Sequence, residues 1–237
     1  MRIYERLSRI YDLDWGNFSK QYVGLIRQLL GGRGVKRARI LDLACGTGNL
    51  AVDLAQRGHF VHGIDISPQM IRIAKSKSLR LSNISFEVQG MTQFCVRGRF
   101  DLVTCTFDSV NYLLDTDDVR RMFHRVADAL HQSGMFIFDS NTHQLYARAK
   151  QGPQGRELGD ESFVQEFSYD PIDREATTAF AFSDGTVEVH RQRPYGLPEL
   201  EPILADAGLR VVHAFSGFDM RPYDGESKRL FCVAERA

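Results

Sequence analysis

The chain lacks net charge, paired cysteines, clustered histidines and any long apolar run. Its 30 Lys and Arg balance 30 Asp and Glu, so the formal net charge is zero. Gripping a phosphate backbone needs a local excess of cations, and no nucleic-acid partner is expected. The four cysteines, Cys45, Cys95, Cys105 and Cys232, form no CxxC pair. Three of them lie in or beside apolar, strand-like runs, which suits reduced thiols in a cytosolic protein. The seven histidines show neither HxH nor HExxH spacing, and no metal site is expected. No apolar run approaches the ~18 residues that cross a bilayer. The opening MRIYERLSRIYD is charged from the outset and has no apolar signal core. A cytoplasmic protein without a membrane partner is the expectation.

What is present suits one large core. Apolar residues make up 43% of the 237, and 16 of them are Phe. That excludes global disorder, and the length fits a single domain, 1–237, with some elaboration. Two helices are expected to open the chain. Phe18, Tyr22, Leu25, Ile26 and Leu29 give the second one apolar face. A strand–helix alternation follows. Strands are expected over 38–44, 60–65, 84–89, 100–107 and 135–140. The helices between them start at Asn49, at Ser67-Pro68 and at Asp117, the last running to His131 ahead of Gly134. Such nearly all-apolar strands predict a parallel sheet covered on both faces.

After Lys150 the pattern changes. Residues 162–193 read as strands joined by turns at YDPIDR and Ser183-Asp184-Gly185. The region 151–195 is therefore expected to be an inserted antiparallel β subdomain. It either caps the active site or pairs two copies in a homodimer. A helix over about 198–207 and strands over 209–216 and 229–235 close the chain. The two strands lack a crossover helix, so they should pair antiparallel at one edge.

The informative segment is ILDLACGTGNLA, residues 40–51. A buried strand runs directly into Gly46-Thr47-Gly48, and a helix begins just after. Glycines there let the backbone turn sharply and let a ligand approach closely. In open α/β sheets ligands bind at this place, the carboxyl end of the strands. Asp65 ends the second strand, where a carboxylate can accept both ribose hydroxyls. Asp42 lies inside the first strand, just before the turn. Burying it unpaired is costly, and it would repel a pyrophosphate. It suits a ligand with an ammonium or sulfonium charge, or else it ties down the N–H groups of the loop.

LDLACGTGNLA, the following GIDISPQMI and the later FDLVTCTFDSVNYL resemble the class I S-adenosylmethionine-dependent methyltransferases, in their small-molecule branch. The resemblance covers about residues 4–236. It implies a Rossmann-like, doubly wound seven-stranded sheet whose last strand is antiparallel, in agreement with the closing hairpin. It implies S-adenosyl-L-methionine as cofactor. Ala44, Gly46 and Gly48 would pack on its methionine part and Asp42 near its amino group. Asp65 would take the ribose, Ile66 and Met70 the adenine. Relatives often carry an acid in the turn after the third strand; here Gly90-Met91 stands in its place, and backbone groups or Thr92 take over the contact. Thr106, Phe107 and Asp108 would lie near the sulfonium. Residues 1–35 would form a helical lid, with Tyr4, Tyr11 and Trp15 either lining the site or packing the helix.

Methyl transfer needs collinear reactants and exclusion of water, and a base only if the acceptor is protonated. No catalytic residue is fixed by a motif. His190 and Asp108 are the candidates for a base. Tyr112, Asn141 and Arg193 are candidates for the substrate side, and Arg221 is a further cation for an acidic substrate group. No proline–proline–aromatic motif follows the fourth strand, which argues against nucleobase amino groups as acceptors. The expected activity is methyl transfer to a small-molecule N or O acceptor. The glycine loop also fits an NAD(P)-dependent oxidoreductase or a non-catalytic cofactor-binding protein.

Overall fold

A computed structural model describes residues 3–237, so the first two residues of the expected lid lie outside it. The chain opens with a 3-10 turn, Leu7–Arg9, then a short helix α1 (Tyr11–Trp15), a second 3-10 turn, Gly16–Phe18, and α2 (Ser19–Gly32). Next come β1 (Arg39–Leu43), α3 (Asn49–Gln56), β2 (Phe60–Asp65), α4 (Pro68–Lys77), β3 (Ile84–Val88) and β4 (Phe100–Cys105). A 3-10 turn, Ser109–Tyr112, leads to α5 (Thr116–Ala129), β5 (Leu130–Asn141) and α6 (His143–Ala147). The insertion holds β6 (Gly152–Leu158), β7 (Glu161–Asp170), β8 (Glu175–Phe182) and β9 (Val187–Gln192). The chain closes with α7 (Leu197–Asp206), β10 (Leu209–Phe215) and β11 (Arg229–Arg236).

The main sheet has seven strands in the order β10-β11-β5-β4-β1-β2-β3. Strands β1 to β5 run parallel, while β11 is antiparallel to both β5 and β10. The pleat sends alternate residues to opposite faces. Ile40, Leu102 and Ile137 pack with Tyr22 and Ile26 of α2 and Leu50 of α3. Leu41, Val103 and Phe136 pack on the other face with Phe123 of α5 and Leu204 of α7. The strands read as continuous apolar runs because both faces are covered. Cys105 and Cys232 belong to this core, Cys45 is half-buried, and Cys95 is exposed.

The insertion is a separate four-stranded antiparallel sheet, β6-β7-β8-β9. Its first strand lies outside the expected 162–193. Gly152, Pro153 and Gly155 favour loops, but their pairing with Phe167, Glu166 and Val164 of β7 overrides that local preference. The helix expected to run to His131 ends at Ala129, and β5 begins at Leu130, paired with Phe100. Gly134, expected to stop the helix, lies within β5, where a Cβ would come 2.9 Å from the Phe100 carbonyl. Helix α6 was not expected at all.

A buried polar knot ties α2 to the sheet. Tyr22 Oη donates to Asp139 Oδ1 at 2.9 Å, and Arg229 Nη1 reaches Asp139 Oδ2 at 2.5 Å. Asp139 is 0% exposed. Its burial raises the carboxyl pKa, and the Arg229 charge works against that rise. Removing the cation would leave a buried, uncompensated charge. Arg229→Met is expected to lower unfolding free energy by about 3 kcal/mol. Urea unfolding with an unchanged midpoint would contradict this.

Candidate active site

The carboxyl ends of β1, β2 and β4 meet around the turn that leaves β1. Three residues of that turn have left-handed backbone: Ala44 at φ 52°, Gly46 at φ 55° and Gly48 at φ 78°. The two glycines serve different ends. A Cβ on Gly46 would meet nothing within 4 Å and would stand in an open cavity. A Cβ on Gly48 would lie 2.8 Å from Ala74 Cβ and 3.0 Å from the Phe86 ring, so Gly48 packs α3 against its neighbours.

Asp42 is 1% exposed. Its Oδ1 accepts from Thr104 Oγ1 at 2.7 Å, its register partner on β4. Its Oδ2 is buried with no hydrogen-bond partner. Burial pushes the carboxyl up to about 7, with Thr104 opposing and the Asp65 charge adding to the rise. Asp42 does not tie down the loop; Asp65 does. Asp65 Oδ2 accepts the Gly46 N–H at 2.9 Å and Oδ1 accepts the Ser67 N–H at 2.8 Å. Burial raises its pKa and these two N–H groups counter the rise. Ser67 caps α4 by accepting from Met70 N at 3.3 Å, with Pro68 at the first helical position.

A cavity of about 410 Å³ opens at this turn, a size suited to a small molecule. Tyr11, Asp42, Ala44, Gly46 and Asp65 line it. So do Ile66, Met70, Gly90, Met91 and Phe107. Ile66 is 65% exposed, an apolar side chain with little of its own fold to touch. Tyr4, Trp15, Thr92, Thr106 and Tyr112 also face the cavity. Thr92 and Gln93 are the side chains beside Gly90-Met91 at the cavity.

The cavity does not gather the remaining candidates. Asp108 is engaged by Arg229 at 2.9 Å and Gln192 at 2.7 Å. Arg193 pairs with Glu199 at 2.6 Å and lies over the Tyr195 ring. Asn141 is buried, with Nδ2 3.4 Å from Tyr146 Oη. Arg221 pairs with Asp219 at the surface. His190 stands one shell behind Tyr112, whose Oη lies 3.0 Å from its Nδ1. Of Gly48 the cavity sees nothing, since it faces Ala74 and Phe86.

Other site residues had no sequence signal. Asp12 Oδ1 accepts from Thr47 Oγ1 at 2.6 Å and Asn49 Nδ2 at 2.9 Å, and Lys77 Nζ sits 2.5 Å from Oδ2. Helix α1 is thus pinned to the glycine turn. Val189 and Arg191 bring the inserted sheet to the cavity wall.

The donor set fits S-adenosylmethionine. The unpartnered Asp42 Oδ2 offers a negative acceptor for a cation, and the empty space at Gly46 admits a ligand against the backbone. Residues 40–134 match a family model described as a methyltransferase domain. A Geobacillus sp. protein named as a methyltransferase is 34% identical over 221 residues, 87% of each chain. An S-adenosylmethionine-dependent methyltransferase from Clostridium acetobutylicum superposes with a TM-score of 0.86 at 24% identity over 100% of both chains. A second solved structure is S-adenosylmethionine-bound CalS10 from Micromonospora echinaspora, an amino pentose methyltransferase. It superposes with a TM-score of 0.68 at 21% identity, covering 100% of this chain and 98% of that one. The chain belongs to the class I S-adenosylmethionine-dependent methyltransferases. It is an enzyme that takes this cofactor, and the nicotinamide alternative is set aside.

Asp65→Ala removes the acceptor of two backbone N–H groups, one at the glycine turn and one at the cap of α4. S-adenosylhomocysteine binding is expected to weaken by ~1–3 kcal/mol, and unchanged affinity in calorimetry would refute the placement. The raised Asp42 pKa also has a signed consequence. The folded chain keeps that proton up to about 7, while an unfolded aspartate loses it near about 4. Asp42 therefore makes stability fall as pH rises through that window. Asp42→Asn is expected to raise the thermal midpoint at pH 8 more than at pH 5, while weakening S-adenosylmethionine binding at pH 8. Equal effects at both pH values would contradict this.

Proposed function

We propose that the enzyme methylates a small-molecule amine or hydroxyl acceptor held between the glycine turn, the N-terminal segment and the inserted sheet. The observation that carries this reading is the aromatic wall. Tyr4, Tyr11, Trp15 and Tyr112 line one side of the cavity, and Val189 of β9 borders it. Tyr11 and Trp15 stack at 5.3 Å, and Tyr4 meets Tyr11 edge-on at 5.9 Å. Such a wall excludes water and suits a compact organic acceptor, including one whose ammonium group sits against ring faces.

Bound S-adenosylmethionine supplies an electrophilic methyl group and a good thioether leaving group. The chain holds the reactants in line and keeps water away. Asp42 would take the cofactor's cationic end on its free Oδ2, and Asp65 holds the turn in shape. The N-terminal segment and residues 151–195 serve as a cover. The cavity is too small for a folded partner, and the chain's zero net charge gives nucleic acid no general attraction.

The test is a turnover survey with primary and secondary amines, amino sugars and phenols, read by mass spectrometry. Methylated product from a compound of one of these classes is expected. Transfer confined to RNA or protein fractions of an extract would refute the small-molecule reading. Trp15→Ala is expected to raise KM for the acceptor by about tenfold, in line with loss of an aromatic contact of 0.5–1.5 kcal/mol plus its buried area. An unchanged KM would remove Trp15 from the acceptor site.

A further inference from the structure

From the aromatic wall a line of polar atoms runs into the fold behind it. Tyr4 Oη lies 2.7 Å from Tyr112 Oη, and Tyr112 Oη lies 3.0 Å from His190 Nδ1. His190 is 4% exposed, and its ring meets Tyr4 at 4.7 Å and Phe180 at 5.2 Å. On its far side, Nε2 is buried with no hydrogen-bond partner, and the nearest acceptor is Glu188 Oε2 at 3.5 Å. Glu188 is 1% exposed. Its carboxylate accepts the backbone N–H groups of Tyr4, Arg6 and Leu7, the first and last at 3.0 Å. Burial raises its pKa, and His190 with the N–H groups of Arg6 and Leu7 lowers it below the ordinary value. Three backbone N–H donors on its two oxygens leave no room for a carboxyl proton, so Glu188 is ionised.

Resting on the small-molecule methyltransferase reading, we propose that Tyr4, Tyr112, His190 and Glu188 form a proton-accepting relay that takes a proton from the methyl acceptor. The proton count of the line sets its direction. Two hydroxyls and one ring nitrogen can be ordered in two ways only. Either Tyr4 donates to Tyr112 and Tyr112 to Nδ1, or Nδ1–H donates to Tyr112 and Tyr112 to Tyr4. The choice is made at Nε2. A bare lone pair there would face a carboxylate and be repelled, whereas an N–H is attracted. Glu188 thus selects the Nε2–H form, and the line runs from the cavity to His190. In that order Tyr4 Oη keeps its lone pairs for an incoming proton, since among the described residues its one hydrogen-bond partner is Tyr112.

The balance is complete. The acceptor's lone pair forms the bond to the methyl carbon, and the pair of the broken C–S bond stays on sulfur. The acceptor's proton passes to Tyr4 Oη, that of Tyr4 to Tyr112, and that of Tyr112 to His190 Nδ1. The imidazolium so formed faces the Glu188 carboxylate. The class of acceptor follows: it has both a lone pair and a proton to give up at the nucleophile, a hydroxyl or a neutral primary or secondary amine, not a tertiary amine or a thioether. Tyr4 and Tyr112 line the cavity, while His190 and Glu188 are positioning residues that act through them. Tyr4 and the three N–H groups on Glu188 all come from residues 4–7, so the relay exists only with the N-terminal segment docked.

Ring-15N histidine spectra of the full chain saturated with S-adenosylhomocysteine test this without any acceptor. His190 is assigned by its loss in His190→Gln. The expected result is a neutral ring protonated at Nε2, with Nδ1 hydrogen-bonded. Tyr112→Phe should shift the Nδ1 resonance, and Glu188→Gln should raise the Nδ1–H population by about tenfold. A wild-type ring protonated at Nδ1, or an Nδ1 resonance unmoved in Tyr112→Phe, overturns the relay. Calorimetry of S-adenosylhomocysteine and the acceptor survey report on the methyltransferase reading independently, so either idea can fail while the other stands.

Discussion

An unpaired carboxylate oxygen buried at the end of a central strand is the constraint on which the site rests. Asp42 cannot turn away, because β2 and β4 flank its strand and Thr104 holds its other oxygen. The fold tolerates this by letting the group take up a proton near neutrality, and a cationic ligand relieves it. The left-handed turn beside it exists to bring backbone, rather than side chains, to the same place. Asp65 completes the arrangement by spending its oxygens on the N–H groups of that turn and of the next helix.

The remaining acids near the sheet's carboxyl edge are consumed by the fold. Asp108 and Asp139 share Arg229, and Tyr22 and Gln192 close the group. That leaves the acceptor side of the cavity to hydroxyls and rings. The phenols of Tyr4 and Tyr112 line that side, and the proposed proton transfer runs through them.

The alternation of strands and helices was legible because both faces of the main sheet are covered, which leaves an uninterrupted apolar record in β1, β4 and β5. The glycine turn and the residues at its rim were legible for a related reason: they follow one another in sequence, so spacing encodes their neighbourhood. Contacts between distant segments left no such record. Nothing in Asp12 announces Thr47 and Asn49, and nothing in Glu188 announces the backbone of residues 4–7. Asn141, Arg193 and Asp108 were expected at the pocket because they follow strand ends or lie in the insertion, but spacing says nothing of which partner claims a side chain. Strand β6 was hidden by Gly152, Pro153 and Gly155, whose conformation is imposed by the neighbouring strand. The early start of β5 was hidden in the same way, by pairing at Leu130.

The ties between the opening residues and the inserted sheet carry a mechanical meaning. Besides the clasp on Glu188, Arg6 pairs with Glu161 and Asp184, Arg156 with Asp14, and Leu7 and Ile10 share an apolar cluster with Phe163, Phe180 and Phe182. Two pieces separated by well over a hundred residues in sequence are thus riveted into one jaw. Any swing of the sheet that spares these rivets drags the first helix along, and the catch it must then release is the grip of Asp12 on the glycine turn.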